Sequence, residues 1–191
     1  MSPSTSSLTK SAATSDVLLS ANVNDSNHDY QGIIIAHTQA IEINPHDALA
    51  FYTRGVAYYR LGDQQSAITD YTQAIELNPL LEIAYYRRGC SYHLARDYSS
   101  AIVDYNRSIK LKPDFALAYA SRGYAYRDLY GEQEALLDWR FAAKLFKQQD
   151  NLKKYQDLMR SIDKFDAMAS TCTARRRSRD TTTKRPSRLE D

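Results

Sequence analysis

The sequence has few of the residues that interrupt helices, with 6 glycines and 5 prolines among its 191 residues. An architecture of strands and tight turns needs more of both, so the composition favours a mostly helical protein. The two cysteines, Cys90 and Cys172, are too few for a framework of disulfides, which makes a reducing compartment such as the cytoplasm the expected location. No apolar run approaches the roughly 18 residues of a membrane-spanning helix. We therefore expect a soluble helical protein.

Tyrosine is in clear excess, with 15 copies against 5 phenylalanines and 1 tryptophan. Its side chain combines a large apolar ring with a hydroxyl group, so it suits half-buried seams and binding surfaces. The excess therefore points to contact surfaces and seams between helices, in addition to an ordinary core.

Both ends of the chain have the composition of flexible segments. Residues 2–15 contain nine Ser or Thr, one Lys and no acidic residue, so a disordered arm is expected at residues 1–28. An organellar transit peptide is the alternative there, although such peptides are usually rich in arginine. Residues 170–191 contain seven basic and three acidic residues, a net charge of +4 against −2 for the rest of the chain. They are expected to form a disordered basic tail.

A period of 34 residues runs through the middle of the chain. The windows 48–81 and 82–115 are identical at 14 of 34 positions, and a third window covers residues 116–149. Such fixed spacing indicates a repeat architecture. The recurring structural positions are occupied by Gly55, Gly89 and Gly123, by Tyr58, Tyr92 and Tyr126, by Ala67, Ala101 and Ala135, and by Pro79 and Pro113.

Each window contains two helical patterns. In the first window, apolar residues recur at spacings of three and four from Phe51 to Leu61 and again from Ala67 to Leu77. Asp63 stands between the two patterns, where its side chain can cap the second helix. A glycine inside a helix costs roughly 1 kcal/mol relative to alanine. Its recurrence in the first helix of all three windows therefore predicts a close approach of paired helices.

These spacings resemble the tetratricopeptide repeat (TPR), in which pairs of antiparallel helices stack into an α-solenoid. The resemblance covers residues 48–149 and implies an all-α fold with three full repeats. The ending of the third repeat is also similar to the tails of bacterial, notably cyanobacterial, TPR proteins.

The resemblance also assigns the segments that flank the three repeats. Asp29–Pro45 looks like the second helix of a degenerate unit, so a half repeat is expected at residues 29–47. Its first helix would fall at residues 14–27, a segment that matches the repeat poorly. An apolar stripe between charged residues at 150–168 is expected to cap the solenoid, because the last repeat otherwise exposes an apolar face. The predicted TPR domain thus spans residues 29–169.

Charged residues recur at two positions where they predict ion pairs between helices. Arginine occurs at the same place in each first helix, and aspartate follows sixteen residues later; the predicted pairs are Arg54–Asp70, Arg88–Asp104 and Arg122–Asp138. In the degenerate unit both charges are absent together, since Ser20 and Ala36 stand there. Separate solvation of the two groups is the alternative, but an arginine at a half-buried seam needs an acceptor.

No catalytic or cofactor motif is present in the sequence. It has no glycine-rich phosphate loop, no nucleophile elbow and no zinc-protease motif. Cys90 and His93 share a helical face and could donate two metal ligands, but a zinc site needs three or four. We therefore expect no enzyme activity, no bound metal and no cofactor.

The resemblance implies a function in recognition, because the first helices of TPR proteins line a concave groove that binds peptides. Tyrosine and arginine, which are common in binding hot spots, are frequent at the groove positions. The predicted groove residues are Leu49, Tyr52, Val56, Tyr59, Ile83, Tyr86, Arg87, Cys90, His93, Leu117, Ser121, Tyr124 and Arg127.

The expected partner is another protein. Some TPR proteins hold a terminal carboxylate with Lys and Asn on successive first helices, and this chain lacks that set. An internal segment with apolar and acidic residues fits better, so we expect a scaffold or adaptor, possibly an assembly factor. The alternative is a binder of nucleic acid or acidic surfaces that acts through tail residues 175–188.

Overall fold

A computed structural model of the protein describes residues 29–182, with side chains to residue 167 except that of Glu132. Within this range the chain forms only helices and their connections. The eight helices are α1 (Tyr30–Ile43), α2 (Ala48–Leu61), α3 (Gln64–Leu77), α4 (Glu82–Leu94), α5 (Tyr98–Leu111), α6 (Ala116–Tyr130), α7 (Glu132–Gln148) and α8 (Leu152–Thr182). Each helix packs against the next one along the chain. The predicted all-α solenoid of stacked helix pairs is thus confirmed.

Aspartates cap three of the four second helices, and Asp47 caps the first helix α2 as well. Asp29, Asp63 and Asp97 are the N-caps of α1, α3 and α5, and each side chain accepts a hydrogen bond from a backbone amide three residues on. Just before two of these caps the backbone takes a left-handed conformation, at Gly62 with φ 85° and at Arg96 with φ 63°. The cap satisfies an amide that the first turn of a helix leaves unpaired.

Glycine lets the two helices of each repeat approach closely. A Cβ atom added to Gly89 would lie 2.8 Å from Cε1 of Tyr105 and 3.2 Å from the carbonyl oxygen of Ala101. The same ring contact occurs at Gly55 with Tyr71, and at Gly123 with the indole of Trp139. Steric exclusion by an aromatic ring on the paired helix is the physical reason for glycine at this position.

The last helix covers the apolar face of the third repeat and then continues. Leu158 and Ile162 are buried against α7, and the ring of Phe165 stacks on Trp139 with centroids 5.2 Å apart. The structure differs from the boundary expected at residue 168, because α8 extends to Thr182. Residues 170–182 are therefore helical, where the sequence analysis expected a disordered tail from residue 170. This segment contains neither glycine nor proline, so nothing in it breaks the helix.

The predictions of flexible ends concern residues that lie partly outside the described range. The arm at residues 1–28 and the end of the tail at 183–191 fall there, so their expected disorder stays a prediction. Among the helices between residues 29 and 182, none combines the length and the apolar character needed to cross a membrane.

Candidate functional site

The predicted Arg–Asp pairs are confirmed in all three repeats. Nε and Nη2 of Arg88 donate to the two carboxylate oxygens of Asp104, both at 2.8 Å. The pair Arg54–Asp70 has the same two-pronged geometry at 2.8 and 2.7 Å, and Arg122–Asp138 at 2.7 and 2.7 Å. These bonds raise the pKa of Arg54 and of Arg122. Each pair ties the first helix of a repeat to its second helix.

Each of these arginines also reaches the preceding repeat, which the sequence analysis missed. Nη1 of Arg54 donates to Oγ1 of Thr38 at 3.1 Å, and Nη1 of Arg88 donates to Oγ1 of Thr72 at 3.0 Å. Arg122 reaches Oδ1 of Asn106 in the same way. One guanidinium therefore joins three helices. The signal was present in the sequence, since the three acceptors are spaced by 34 residues.

The predicted groove residues differ widely in accessibility. Leu49 is exposed, and Val56, Tyr59, Arg87, Cys90, His93, Leu117, Ser121, Tyr124 and Arg127 are half-buried. Tyr52, Ile83 and Tyr86 are instead part of the hydrophobic core, with 2–8% of their surface exposed. The ring of Tyr86 packs between Tyr105 and Phe115, with centroids 6.0 and 5.0 Å away. A ligand could therefore meet these three residues only at their edges.

The two predicted groove arginines have different electrostatic surroundings. Arg127 is balanced, because its Nη2 lies 2.6 Å from Oδ1 of Asp128. The other oxygen of Asp128 lies 3.0 Å from Nε2 of His93, which links α6 to α4. Arg87 has no such partner: among the described residues no carboxylate lies within ion-pair distance of it.

The Arg87 site, formed by Arg87 with Tyr52, Tyr59, Tyr71 and Cys90, is polar but carries no negative charge. Burial raises the pKa of Tyr52, of Tyr59 and of Cys90, and the positive charge of Arg87 opposes each shift. All three groups are therefore neutral at pH 7. Nε of Arg87 and the hydroxyl of Tyr71 are both buried with no hydrogen-bond partner. The site thus holds a cation and two unsatisfied polar atoms.

A lysine of the last helix is affected by the charge of this site. Burial lowers the pKa of Lys154 on α8, and the positive charge of Arg87 on α4 lowers it further. The Lys154 side chain also lies over the ring of Phe146, 5.9 Å from its centroid. Lys154 was not predicted as a site residue, because this lysine is 67 residues from Arg87 and occupies no repeat position.

A sequence model of the tetratricopeptide repeat family matches residues 48–79 and 83–115. These two segments cover α2 to α5, which form the first two full helix pairs. The chain contains tetratricopeptide repeats. Curated proteins give no significant sequence match.

Solved structures of TPR proteins share the fold. A MamA protein is 29% identical, with a TM-score of 0.57 over 62% of this chain and 64% of the MamA chain, so less than two thirds of MamA is matched. The first TPR domain of Spaghetti (RPAP3), bound to the HSP90 peptide SRMEEVD, is 25% identical with a TM-score of 0.56. The match covers 63% of this chain and 93% of that domain. The TPR2B domain of yeast Sti1, in a complex with an Hsp70 peptide, is 21% identical with a TM-score of 0.60. The match covers 63% of this chain and 97% of that domain.

The described side chains offer no cluster of three or more His, Cys, Asp or Glu residues that could hold a metal ion. The polar groups of the Arg87 site are an arginine, tyrosines and a thiol, and the carboxylate of Glu82 acts on Tyr52 through its charge. This arrangement suits the binding of an anionic group and provides no activated nucleophile.

Proposed function

We propose that this chain is a non-catalytic interaction scaffold that holds an extended segment of another protein against the first helices of its repeats. The observation that carries the proposal is the unbalanced charge of Arg87. A half-buried cation whose Nε is buried without a hydrogen-bond partner is costly, and a carboxylate from a ligand would accept two hydrogen bonds from the guanidinium. The binding of an acidic group would therefore complete the site.

The ligand segment is proposed to combine acidic side chains with apolar anchors. The positive charge of Arg87 also lowers the pKa of Lys154, and a negative charge on the ligand would ease this repulsion. Apolar surface is available on the first helices α2 and α6, at the exposed Leu49 and at the half-buried Val56 and Leu117. Side chains of this kind exclude water from a neighbouring ion pair and strengthen it.

The RPAP3 domain supports this ligand class, because the HSP90 peptide bound to it contains three acidic residues. The places of the terminal-carboxylate clamp are occupied here by Tyr52, Val56, Arg87, Leu117 and Ser121. Only one of these is a cation, and none is Lys or Asn. An internal acidic segment is therefore proposed rather than a chain terminus. A role as an assembly factor would follow if the bound segment belongs to a subunit of a larger complex.

A peptide library displayed on phage would test the proposal. Selection on the full chain should enrich peptides with acidic residues beside apolar ones, and selection on Arg87→Met should lose the acidic residues. Arg127→Met is the matched control, because Asp128 already balances that charge and the enrichment should persist. Equal enrichment of acidic peptides on the wild type and on Arg87→Met would contradict the proposal.

The alternative function is an interaction of tail residues 175–188 with nucleic acid or an acidic surface. The extension of α8 to Thr182 supports it in one respect, because residues 175–179 then lie on a helix. Titration of a fluorescent single-stranded oligonucleotide distinguishes the two functions. Binding through the tail falls steeply as salt increases and does not depend on Arg87.

A further inference from the structure

One repeat position of the second helices α1, α3, α5 and α7 is both exposed and largely apolar. Ile35, Val103 and Leu137 occupy it on α1, α5 and α7, with 54%, 66% and 75% of their surface exposed. Thr69 occupies it on α3, and its hydroxyl already donates to the carbonyl oxygen of Gln65 at 3.0 Å. These four residues at the 34-residue spacing are called the apolar row. Exposed apolar side chains that recur at one position, instead of being scattered singly, point to a contact surface.

A row of charged residues accompanies the apolar row and changes sign halfway along the stack. It lies seven residues further along each second helix, which is the same helix face. Glu42 and Glu76 occupy it on α1 and α3, and Lys110 and Lys144 on α5 and α7. All four are exposed, and none forms an ion pair with another described residue. One half of this charged row is therefore negative and the other half positive.

The position between the two rows divides the surface in the same way. Gln39 and Gln73 stand there on α1 and α3 and carry no charge. Arg107 stands there on α5, and no described carboxylate lies within ion-pair distance of it. Phe141, which is 42% exposed, adds apolar surface on α7. The positive half of the surface thus has one more cation and one more apolar side chain than the charged and apolar rows alone supply.

We propose that this surface joins two copies of the chain in a dimer with twofold symmetry. In such a dimer the same patch of both copies meets itself, so the patch must be complementary to itself. The second helices are equivalent parts of successive repeats and run in the same direction. An axis parallel to them, between α3 and α5, brings α3 opposite α5 of the second copy and α1 opposite α7. Residues at the same repeat position then face each other.

The change of sign provides the complementarity. In this arrangement Glu76 faces Lys110 of the second copy and Glu42 faces Lys144, while the apolar row of one copy faces that of the other. Stacking α3 on α3 would instead bring charges of the same sign together, which is unfavourable. A partner with charge of one sign would match only half of the charged row. A second copy, turned about the axis, matches both halves.

Sedimentation velocity of the full chain across the micromolar range tests the proposal, and the wild type should form a dimer. Glu76→Lys and Lys110→Glu should each raise the dissociation constant by about tenfold or more, because like charges then meet twice in the dimer. An equimolar mixture of these two variants should dimerise again, since each introduced charge meets an opposite charge in the mixed pair. This recovery also shows that both variants are folded. Lys153→Glu, the same change at an exposed position of α8, is the control and should dimerise like the wild type.

Three results of this experiment would overturn the proposal. The first is a wild type that stays monomeric, and the second is a mixture that dimerises no better than its two components. The third is a series of larger oligomers that grows with concentration, because a twofold contact closes after two copies.

The apolar row is tested by a second pair of variants. Val103→Asp should raise the dissociation constant by about tenfold or more, because a charge would be buried against an uncharged row. Val103→Thr introduces the residue that α3 has at this position and should have a smaller effect. Both should keep the circular dichroism spectrum of the wild type, since this side chain is 66% exposed. A dimer indifferent to Val103→Asp would overturn the proposal, because the apolar row would then lie outside the contact.

Discussion

The pair Arg88–Asp104 is expected to stabilise the second repeat through a strong energetic coupling between its two partners. The side chains are 17% and 5% exposed, and two hydrogen bonds of 2.8 Å join them. Arg88→Met would leave the carboxylate of Asp104 buried without its cation, and would also remove the bond to Thr72. The change therefore acts on both repeat interfaces that this guanidinium joins.

The magnitude follows from the burial of the aspartate. Removing one partner of a buried pair costs about 3–5 kcal/mol, because the remaining charge is left without compensation. Arg88 is partly accessible to water, so we expect a value near the lower end, about 3 kcal/mol. Asp104→Leu together with Arg88→Met removes both charges and leaves apolar groups of similar size. The double variant should therefore lose less stability than the sum of the two single variants.

Urea unfolding followed by circular dichroism measures the four free energies of this double-mutant cycle. We expect a coupling energy of about 2 kcal/mol, within the range for residues in one hydrogen-bond network. The exposed pair Arg140–Asp166, with side chains 56% and 48% exposed, is the control and should show a coupling of about 0–1 kcal/mol. If Arg88 and Asp104 coupled no more strongly than this control pair, the stabilising role of the pair would be refuted.

Two further predictions concern the close helix contact and a helix cap. Gly89→Ala should lower Tm, because the added Cβ would crowd the backbone oxygen of Ala101. The cost of overpacking, about 1–3 kcal/mol, outweighs the gain of about 1 kcal/mol in helix propensity. An unchanged or higher Tm would show that the helices can separate without cost. Hydrogen bonds from the Ser66 side chain and amide lower the pKa of Asp63. The ionised carboxylate therefore stabilises the fold at pH values above its ordinary pKa of about 3.9, and this contribution is lost as the pH falls through the lowered pKa. Asp63→Ala should therefore lower the urea midpoint at pH 7 more than at pH values below that range, and an equal loss at both would show that the charge has no part in the cap.

Much of the fold could be predicted from the sequence, because each repeat places the same contact at the same spacing. Arg88 and Asp104 are sixteen residues apart within one window, so both ends of the pair recur together and can be recognised. Their third partner was harder to see, because Thr72 lies in the preceding window and asparagine replaces threonine one repeat later. The end of α8 could not be predicted from the sequence, since no glycine or proline marks residue 168.

The candidate site was predicted less well, because its charged residue Arg87 has no charged counterpart in the other repeats. Tyr52 and Tyr86 were expected on the groove surface, but the ring packing of the next helix decides their burial, and a spacing pattern contains no such information. The effect of Arg87 on the pKa of Lys154 depends on how α8 packs against the preceding helices. Contacts between distant, unrepeated residues of this kind become visible only when the helices are assembled.

The neighbours Arg87 and Arg88 differ in whether their positions recur as arginine in the other repeats. Arg88 has counterparts in Arg54 and Arg122, each with its own aspartate, because every repeat must be joined to the next. Arg87 has no charged counterpart, since Thr53 and Ser121 take its place. Stacking of the repeats therefore does not require a cation there, and the described residues provide no anion to balance it. The proposed acidic ligand would neutralise this charge, which the repeat architecture neither repeats nor pairs with a carboxylate at ion-pair distance.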